Sequence, residues 1–322
     1  MRILLTGAAG FIGYHVAERL LERGDMVVGV DNLNPYYSVE LKEARLARLT
    51  DRRGFEFHHS DACDSSALQQ LDNQNRFDAI LHLAAQAGVR YSVQNPFAYV
   101  DANVTGQVSV FEMAAKRPGL PVIYASSSSV YGANEKVPFS ESDRVDSPIS
   151  VYAATKKAGE MLASAYAHTW GVPSTGLRFF TVYGPYGRPD MAPWLFTEAL
   201  LHNREISVFN GGDMERDFTH ISDIVEGVVA ATELMATSPD KAAPVYNLGN
   251  NRPVRLMHFI HSIEDATQRK AQINFKPKPK GDVVRTYADI SLAQRDLGFS
   301  PKTTLDEGIP AFVTWFKSYH GL

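Results

Sequence analysis

Short apolar runs and stretches of helical periodicity alternate from the first residues of the chain. Residues 2–6 form a short apolar run that ends in glycines, and residues 11–23 carry Ile12, Val16, Leu20 and Leu21 on one side of a helix. The same alternation predicts strands at 26–30, 54–58 and 79–83, with helices at 40–49 and 65–74 between them. A long helical stretch follows to about residue 116, then a fifth strand at 121–125, a long helix at 151–170 and a sixth strand at 172–179. Strands separated by helices in this rhythm pair in parallel, with helices on both faces. Continuous apolar runs such as Val27-Val28-Gly29-Val30 suit strands buried on both sides. The expected fold is α/β, a doubly wound parallel sheet of Rossmann type.

Beyond about Phe180 the rhythm changes. Gly184-Pro-Tyr-Gly-Arg-Pro-Asp190 is turn-rich, and shorter elements follow between breaks at Gly211-Gly212, Pro253, Pro277 and Pro301. The division expected is a first domain over 1–180 and a smaller second domain over 181–322, from which a strand or helix can return to the first. A chain of 322 residues, 44% hydrophobic, can bury a large core, roughly three quarters of its unfolded surface.

Charge narrows the partners. The net charge is −4, and the only basic cluster is Lys276-Pro-Lys-Pro-Lys280, read as a solvated extended loop, so no nucleic-acid partner is expected. No apolar run approaches the about 18 residues of a membrane span. The single cysteine, Cys63, allows no intrachain disulfide, and no metal site is expected. The apolar run at 1–6 is too short for a secretory leader, which makes the cytoplasm the expected location.

Gly7-Ala-Ala-Gly10-Phe11-Ile12-Gly13 lies between the first strand and the first helix. Gly7 permits a tight turn, Gly10 lets the backbone approach a pyrophosphate, and Gly13 lets the helix pack closely. The helix N-terminus then offers free N–H groups to phosphate. Asp31 ends the second strand, where a carboxylate accepts ribose hydroxyls and repels a 2′-phosphate, so the expected cofactor is NAD and not NADP. Asp61, after the third strand, is placed to accept from the adenine amino group or to cap a helix.

Tyr152-Ala-Ala-Thr-Lys156 opens the long helix at 151–170, and positions i and i+4 share a face. A phenol with a free pKa near ~10 is a poor base at neutral pH. A neighbouring ammonium favours the phenolate and makes Tyr152 a general base for a sugar hydroxyl. Ser126-Ser127-Ser128-Ser129 follows the fifth strand, at the sheet end where ligands bind, and its hydroxyls can bond a sugar.

Taken together, these residues resemble the extended short-chain dehydrogenase/reductase family of nucleotide-sugar epimerases and dehydratases, over essentially the whole chain. His82-Leu83-Ala84-Ala85, Asn103, Leu177-Arg-Phe-Phe180-Thr181 and Arg216-Asp-Phe-Thr-His220 share in the likeness. The resemblance implies Ser127, Tyr152 and Lys156 as catalytic residues. It implies a cofactor site built from Gly7, Gly10, Phe11, Ile12, Gly13, Asp31, Asn32, Asp61, Ala62, Leu83, Ala84, Ala85, Asn103 and Phe180, with Tyr152 and Lys156. Arg216 matches the family's diphosphate-binding arginine, and Arg285 matches a second such position less closely.

Three stretches resemble the UDP-glucuronate 4-epimerase group within that family. They are the one running from Asp31-Asn-Leu-Asn-Pro-Tyr-Tyr to Arg45, then Ala85-Gln-Ala-Gly-Val-Arg-Tyr-Ser92, then Tyr183-Gly-Pro-Tyr-Gly-Arg-Pro-Asp-Met-Ala192. Asn34-Pro35 departs from the group, which often has Asn-Asp there. The implied reaction oxidises C4 of the sugar, turns the 4-keto sugar over and reduces it on the other face. A 4-keto glucuronate is a β-keto acid that loses CO₂ unless its carboxylate is held. Ser128, Ser129, Thr181 and Arg188 are the expected donors for that hold.

Several readings stay open at this stage. A dehydratase would carry an Asp-Glu pair after the catalytic hydroxyl, where this chain has Ser128 and Ser129, and is disfavoured. A UDP-glucuronate decarboxylase shares the first half-reaction, a neutral-sugar epimerase is discouraged by the Arg188 segment, and an NAD-binding regulator is discouraged by the intact Ser127, Tyr152 and Lys156. Helices near 96–116 and 151–170 are the surfaces that relatives use to dimerise, so a homodimer is expected by analogy.

Overall fold

Seven strands, all parallel, form the central sheet. The computed structural model describes residues 1–239, 243–277 and 284–322. Lys278 and Lys280 of the basic run, and residues 281–283 leading to Arg285, lie outside the described residues. The first part of the chain follows the apolar pattern: β1 (Arg2–Thr6), α1 (Phe11–Glu22), β2 (Met26–Asp31), α2 (Val39–Ala47), β3 (Phe55–His59), α3 (Ser65–Asn75) and β4 (Ala79–His82).

After β4 the expected long helical stretch is broken. Residues 83–90 run without helix. Then come α4 (Tyr91–Gln94), α5 (Pro96–Val100), a π-helical turn at Asp101–Thr105 and α6 (Gly106–Ala115). Pro96 excludes a helical Asn95, which sits at φ −135° and ψ 72° and caps α5 through its own side chain. Regular alternation resumes with β5 (Val122–Ser127), α7 (Val151–Trp170) and β6 (Ser174–Phe179).

The remaining elements are β7 (Thr181–Tyr183), α8 (Ala192–Leu201), β8 (Glu205–Phe209), β9 (Glu215–His220), α9 (Ile221–Thr237), β10 (Val245–Leu248), β11 (Pro253–Arg255), α10 (Leu256–Thr267), β12 (Gln272–Lys276), β13 (Arg285–Thr286), α11 (Ser291–Leu297) and α12 (Leu305–His320).

The main sheet runs β10-β6-β5-β4-β1-β2-β3. β10 pairs with β6, Val245 opposite Gly176, so the chain returns to the first sheet well after residue 180. α1 and α9 cover one face through Leu5, Val16, Leu20, Ile224 and Val228. α3, α6 and α7 cover the other through Leu68, Val110, Phe111 and Ala163. Strand order reverses between β1 and β4, the point at which α/β sheets bind ligands outside the carboxyl ends of their strands. There the Thr6 hydroxyl bonds His82 Nδ1 at 2.8 Å and accepts from Ala84 N at 3.3 Å, tying the two strand ends together. Burial and the Lys156 charge push the His82 imidazole down to about 3, so it is neutral.

The second lobe is built on β9, paired with β7, β11 and β13, beside the parallel pair β8 and β12. α8, α10 and α12 close an aromatic core in which Phe218 and Phe259 stack at 4.4 Å. Among the described residues, no helix is long and apolar enough to cross a membrane.

Candidate active site

A cavity of about 630 Å³ opens at the carboxyl ends of the sheet, between it and the second lobe. Its floor is the glycine turn. Gly7 sits at φ +75°, and a Cβ there would lie 2.7 Å from Ala84 N. A Cβ on Gly13 would lie 2.0 Å from Gly7 O, so α1 can start against the turn only without a side chain. Gly10 N bonds Gly7 O at 2.9 Å, and α1 has no side-chain cap. The first-turn N–H groups at Phe11, Ile12 and Gly13, all cavity-lining, are thus available to an anion. This cradle fits the pyrophosphate of a dinucleotide.

Asp31 lines the cavity beside the turn. Its Oδ2 accepts from Ala9 N at 3.1 Å and its Oδ1 from Leu33 N at 2.9 Å. Those bonds orient the carboxylate and leave each oxygen a further lone pair for a ribose diol. Asn32 and Asp61 also line the cavity and bond each other, Nδ2 to Oδ2 at 2.7 Å. Ala62, Leu83, Ala84, Ala85 and Phe180 complete the wall.

Asn103 is the exception. It is buried and does not line the cavity. Its amide accepts from Gln86 N and donates to Gln86 O and Thr155 Oγ1, at 2.9–3.0 Å, which uses both of its N–H donors. Its N–H donors are thus spent within the protein. From the π turn it fastens the 83–90 segment to α7.

The predicted catalytic residues meet in the same cavity. Tyr152 and Lys156 stand one turn apart on α7, whose N-cap Ser150 accepts from Ala153 N. Ser127 ends β5 and accepts from Ser129 N at 3.1 Å, which folds Ser128 and Ser129 over the strand end. Burial pushes the Tyr152 phenol above its ordinary value, while the Ser127 hydroxyl and the Arg188 charge pull it back. Lys156 differs from expectation. Its Nζ bonds Ala125 O at 2.9 Å, and burial alone lowers it to about 8. The charge that lowers the Tyr152 phenol is that of Arg188.

Thr181, Arg188 and Arg216 reach the cavity from the second lobe, opposite Ser127–Ser129. Arg285 does not. On β13 it lies opposite Glu215, to which its Nε bonds at 2.6 Å, while Thr286 lies opposite Arg216 and lines the cavity. Strand alternation puts Arg285 and Thr286 on opposite faces, so the structure places Arg285 outside the site.

The sequence reading missed several wall residues, including Tyr36, Lys42 and Gln86. Lys42 is buried, donates to Asn34 O at 2.7 Å and feels the Asp31 charge. Arg45, fully buried, donates to Ala9 O within the glycine turn and to Tyr186 O. The available signal was Lys42 and Arg45 sharing the α2 face that carries the apolar Leu41 and Leu46.

The sequence model of the NAD dependent epimerase/dehydratase family matches residues 3–249. The UDP-glucuronate 4-epimerase 4 of Arabidopsis thaliana is 48% identical over 331 residues, spanning 99% of this chain and 76% of its own. A solved structure of UDP-glucuronic acid 4-epimerase from Bacillus cereus, in complex with UDP-glucuronic acid and NAD, is similar with a TM-score of 0.91 at 33% identity, covering 99% of this chain and 100% of that one. The UDP-glucose 4-epimerase of Thermotoga maritima, solved with UDP-glucose, gives a TM-score of 0.89 at 32% identity, with 99% and 100% covered.

Proposed function

The chain belongs to the NAD dependent epimerase/dehydratase family, and from that premise we propose that it interconverts UDP-glucuronate and UDP-galacturonate by 4-epimerisation. The carrying observation is one cavity that holds Tyr152 and Ser127 against Arg188, with serines and no carboxylic acid after Ser127. That set can deprotonate a sugar hydroxyl and grip an acid, and it lacks the pair that eliminates water.

NAD is the cofactor, held by the glycine turn, Asp31 and Lys156, and when bound it supplies the acceptor and donor of the C4 hydride. Tyr152 takes the 4-hydroxyl proton as hydride leaves C4. Ser127 bonds O4 and stabilises the phenolate. Arg216 holds the diphosphate while the 4-keto sugar turns over. Arg188, Ser128, Ser129 and Thr181 hold the carboxylate out of line with the ketone, which suppresses loss of CO₂. Tyr152 then returns its proton to O4.

The test is incubation of the purified protein with UDP-glucuronate, no NAD added, with NMR of the product. UDP-galacturonate is the expected product. A pentose with CO₂ assigns a decarboxylase instead. Conversion of UDP-glucose at equal efficiency assigns the neutral-sugar reading.

The first domain over 1–180 binds NAD and the second over 181–322 the nucleotide sugar, with α9 and β10 returned to the first. The single Cys63 thiol suits a cytoplasmic setting. The expected assembly is a homodimer through the helical stretches at 96–116 and 151–170. Phe97 and Met161 there, and Val93 on the preceding α4, are 79%, 63% and 77% exposed, apolar surface that a second copy would cover. Phe97→Glu is expected to give a monomer by light scattering at micromolar concentration. A dimer of unchanged stability would exclude this seam.

A further inference from the structure

Arg188 is not free to point anywhere in the cavity. Its Nε donates to Asp190 Oδ1 at 3.0 Å and its Nη2 to Asp190 Oδ2 at 2.5 Å, a fork along one edge of the guanidinium. Asp190 is held in turn, since the Tyr36 hydroxyl donates to Asp190 Oδ2 at 3.1 Å. Tyr36 belongs to the segment that begins at Asp31 and meets the Arg188 turn through this bond. Its ring lies 4.8 Å from that of Tyr91, and a Cβ on Gly88 would fall 2.5 Å from its hydroxyl, so the phenol is wedged in place. Arg188 lines the cavity and Asp190 does not.

We propose that Asp190 and Tyr36 are positioning residues that aim Arg188 at the acidic group of the sugar, an inference that rests on the acid-sugar reading above. A guanidinium has two edges able to grip an anion. Asp190 takes the Nε/Nη2 edge and leaves the Nη1 end for the ligand. Fixing the fork beforehand removes the side-chain ordering that binding would otherwise cost. It also offsets the cation while the cavity holds no acid, so a buried charge is not left unpaired. The substrate class selected is a nucleotide sugar with a carboxylate at C6. A neutral hexose gains nothing from the arrangement.

The experiment is steady-state kinetics of Asp190→Asn, Tyr36→Phe, Arg188→Ala and the double variant Asp190→Asn/Arg188→Ala. Inhibition by UDP, which lacks the sugar acid, is measured alongside. Asp190→Asn is expected to raise the KM for UDP-glucuronate by about tenfold and Tyr36→Phe by about threefold, with kcat and UDP inhibition unchanged. In the Arg188→Ala background, Asp190→Asn should add nothing, because residues acting through one another are non-additive. Additive effects, or equal weakening of UDP, would mean that Asp190 only supports the loop, and would overturn the proposal. If Arg188→Ala itself leaves the UDP-glucuronate KM unchanged, the acid-receptor reading falls and the proposal with it, an outcome distinct from additivity.

Discussion

Tyr152→Phe is expected to lower kcat by about 10²–10⁴-fold with little change in KM, the range lost when a positioned general base is removed. The phenol contributes only the proton transfer. In the proposed arrangement the glycine turn holds NAD and Arg216 holds the substrate diphosphate, so binding should survive. The pH profile adds a sharper criterion. The phenolate is the active form, and burial drives the phenol above its ordinary value, against which the Ser127 hydroxyl and the Arg188 charge act. Removing either opposing group should therefore move the acid limb of kcat/KM to higher pH. Ser127→Ala is the cleaner of the two, since it leaves the acid receptor untouched. A Tyr152→Phe enzyme within tenfold of wild type, or a Ser127→Ala limb that moves to lower pH, would remove the phenolate from the mechanism.

The features legible in the sequence are those decided within a few residues. β1, β2 and β4 are apolar runs, and Gly7, Gly10 and Gly13 occupy the turn because backbone atoms fill the space that their side chains would need. Tyr152 and Lys156 share a helix face by spacing alone. Contacts closed over long distances were not legible. Nothing local to Lys156 says that its ammonium will sit on the Ala125 carbonyl while Arg188, 36 positions beyond Tyr152 in the chain, supplies the nearby charge. The motifs mark the positions of Asn103 and Arg285 but not the direction of their side chains. The packing of the 83–90 segment turns the first inward onto Gln86, and strand alternation turns the second toward Glu215. The break before α5 was legible in Asn95-Pro96, where the pre-proline restriction outweighs the helical periodicity on either side.

Glu160→Gln is expected to destabilise the fold by about 3 kcal/mol, near the lower end of what breaking a buried ion pair costs. Arg178 and Glu160 are 2% and 7% exposed. Arg178 Nε and Nη2 each bond a Glu160 oxygen at 2.8 Å, and Arg178 Nη1 bonds the Tyr131 hydroxyl at 3.0 Å. Ser126, directly before Ser127, donates to Glu160 at 2.7 Å. Across the sheet Ser126, Arg178 and Asn247 stand in one row, so the pair binds β5, β6 and β10 to α7. Glutamine keeps the shape but leaves the guanidinium without its counter-charge, and the melting temperature should fall by roughly 5 °C or more. The pH dependence gives the sign. Burial alone would raise Glu160, but Arg178 and Ser126 more than offset it and hold the carboxyl below its ordinary value. The unfolded chain then binds the proton more readily than the native one. The stabilisation is present above the unfolded value near ~4.5 and is lost as pH falls through the lower native value. The gap between wild type and Glu160→Gln should accordingly be widest near neutrality and close in acid. A gap that widens as pH falls would contradict the pairing. The double substitution Glu160→Leu with Arg178→Met should recover part of the lost stability, since it removes both buried charges together. It should not recover activity, because Ser126, next to Ser127, would lose its Glu160 partner and Tyr131 would keep only Asn247.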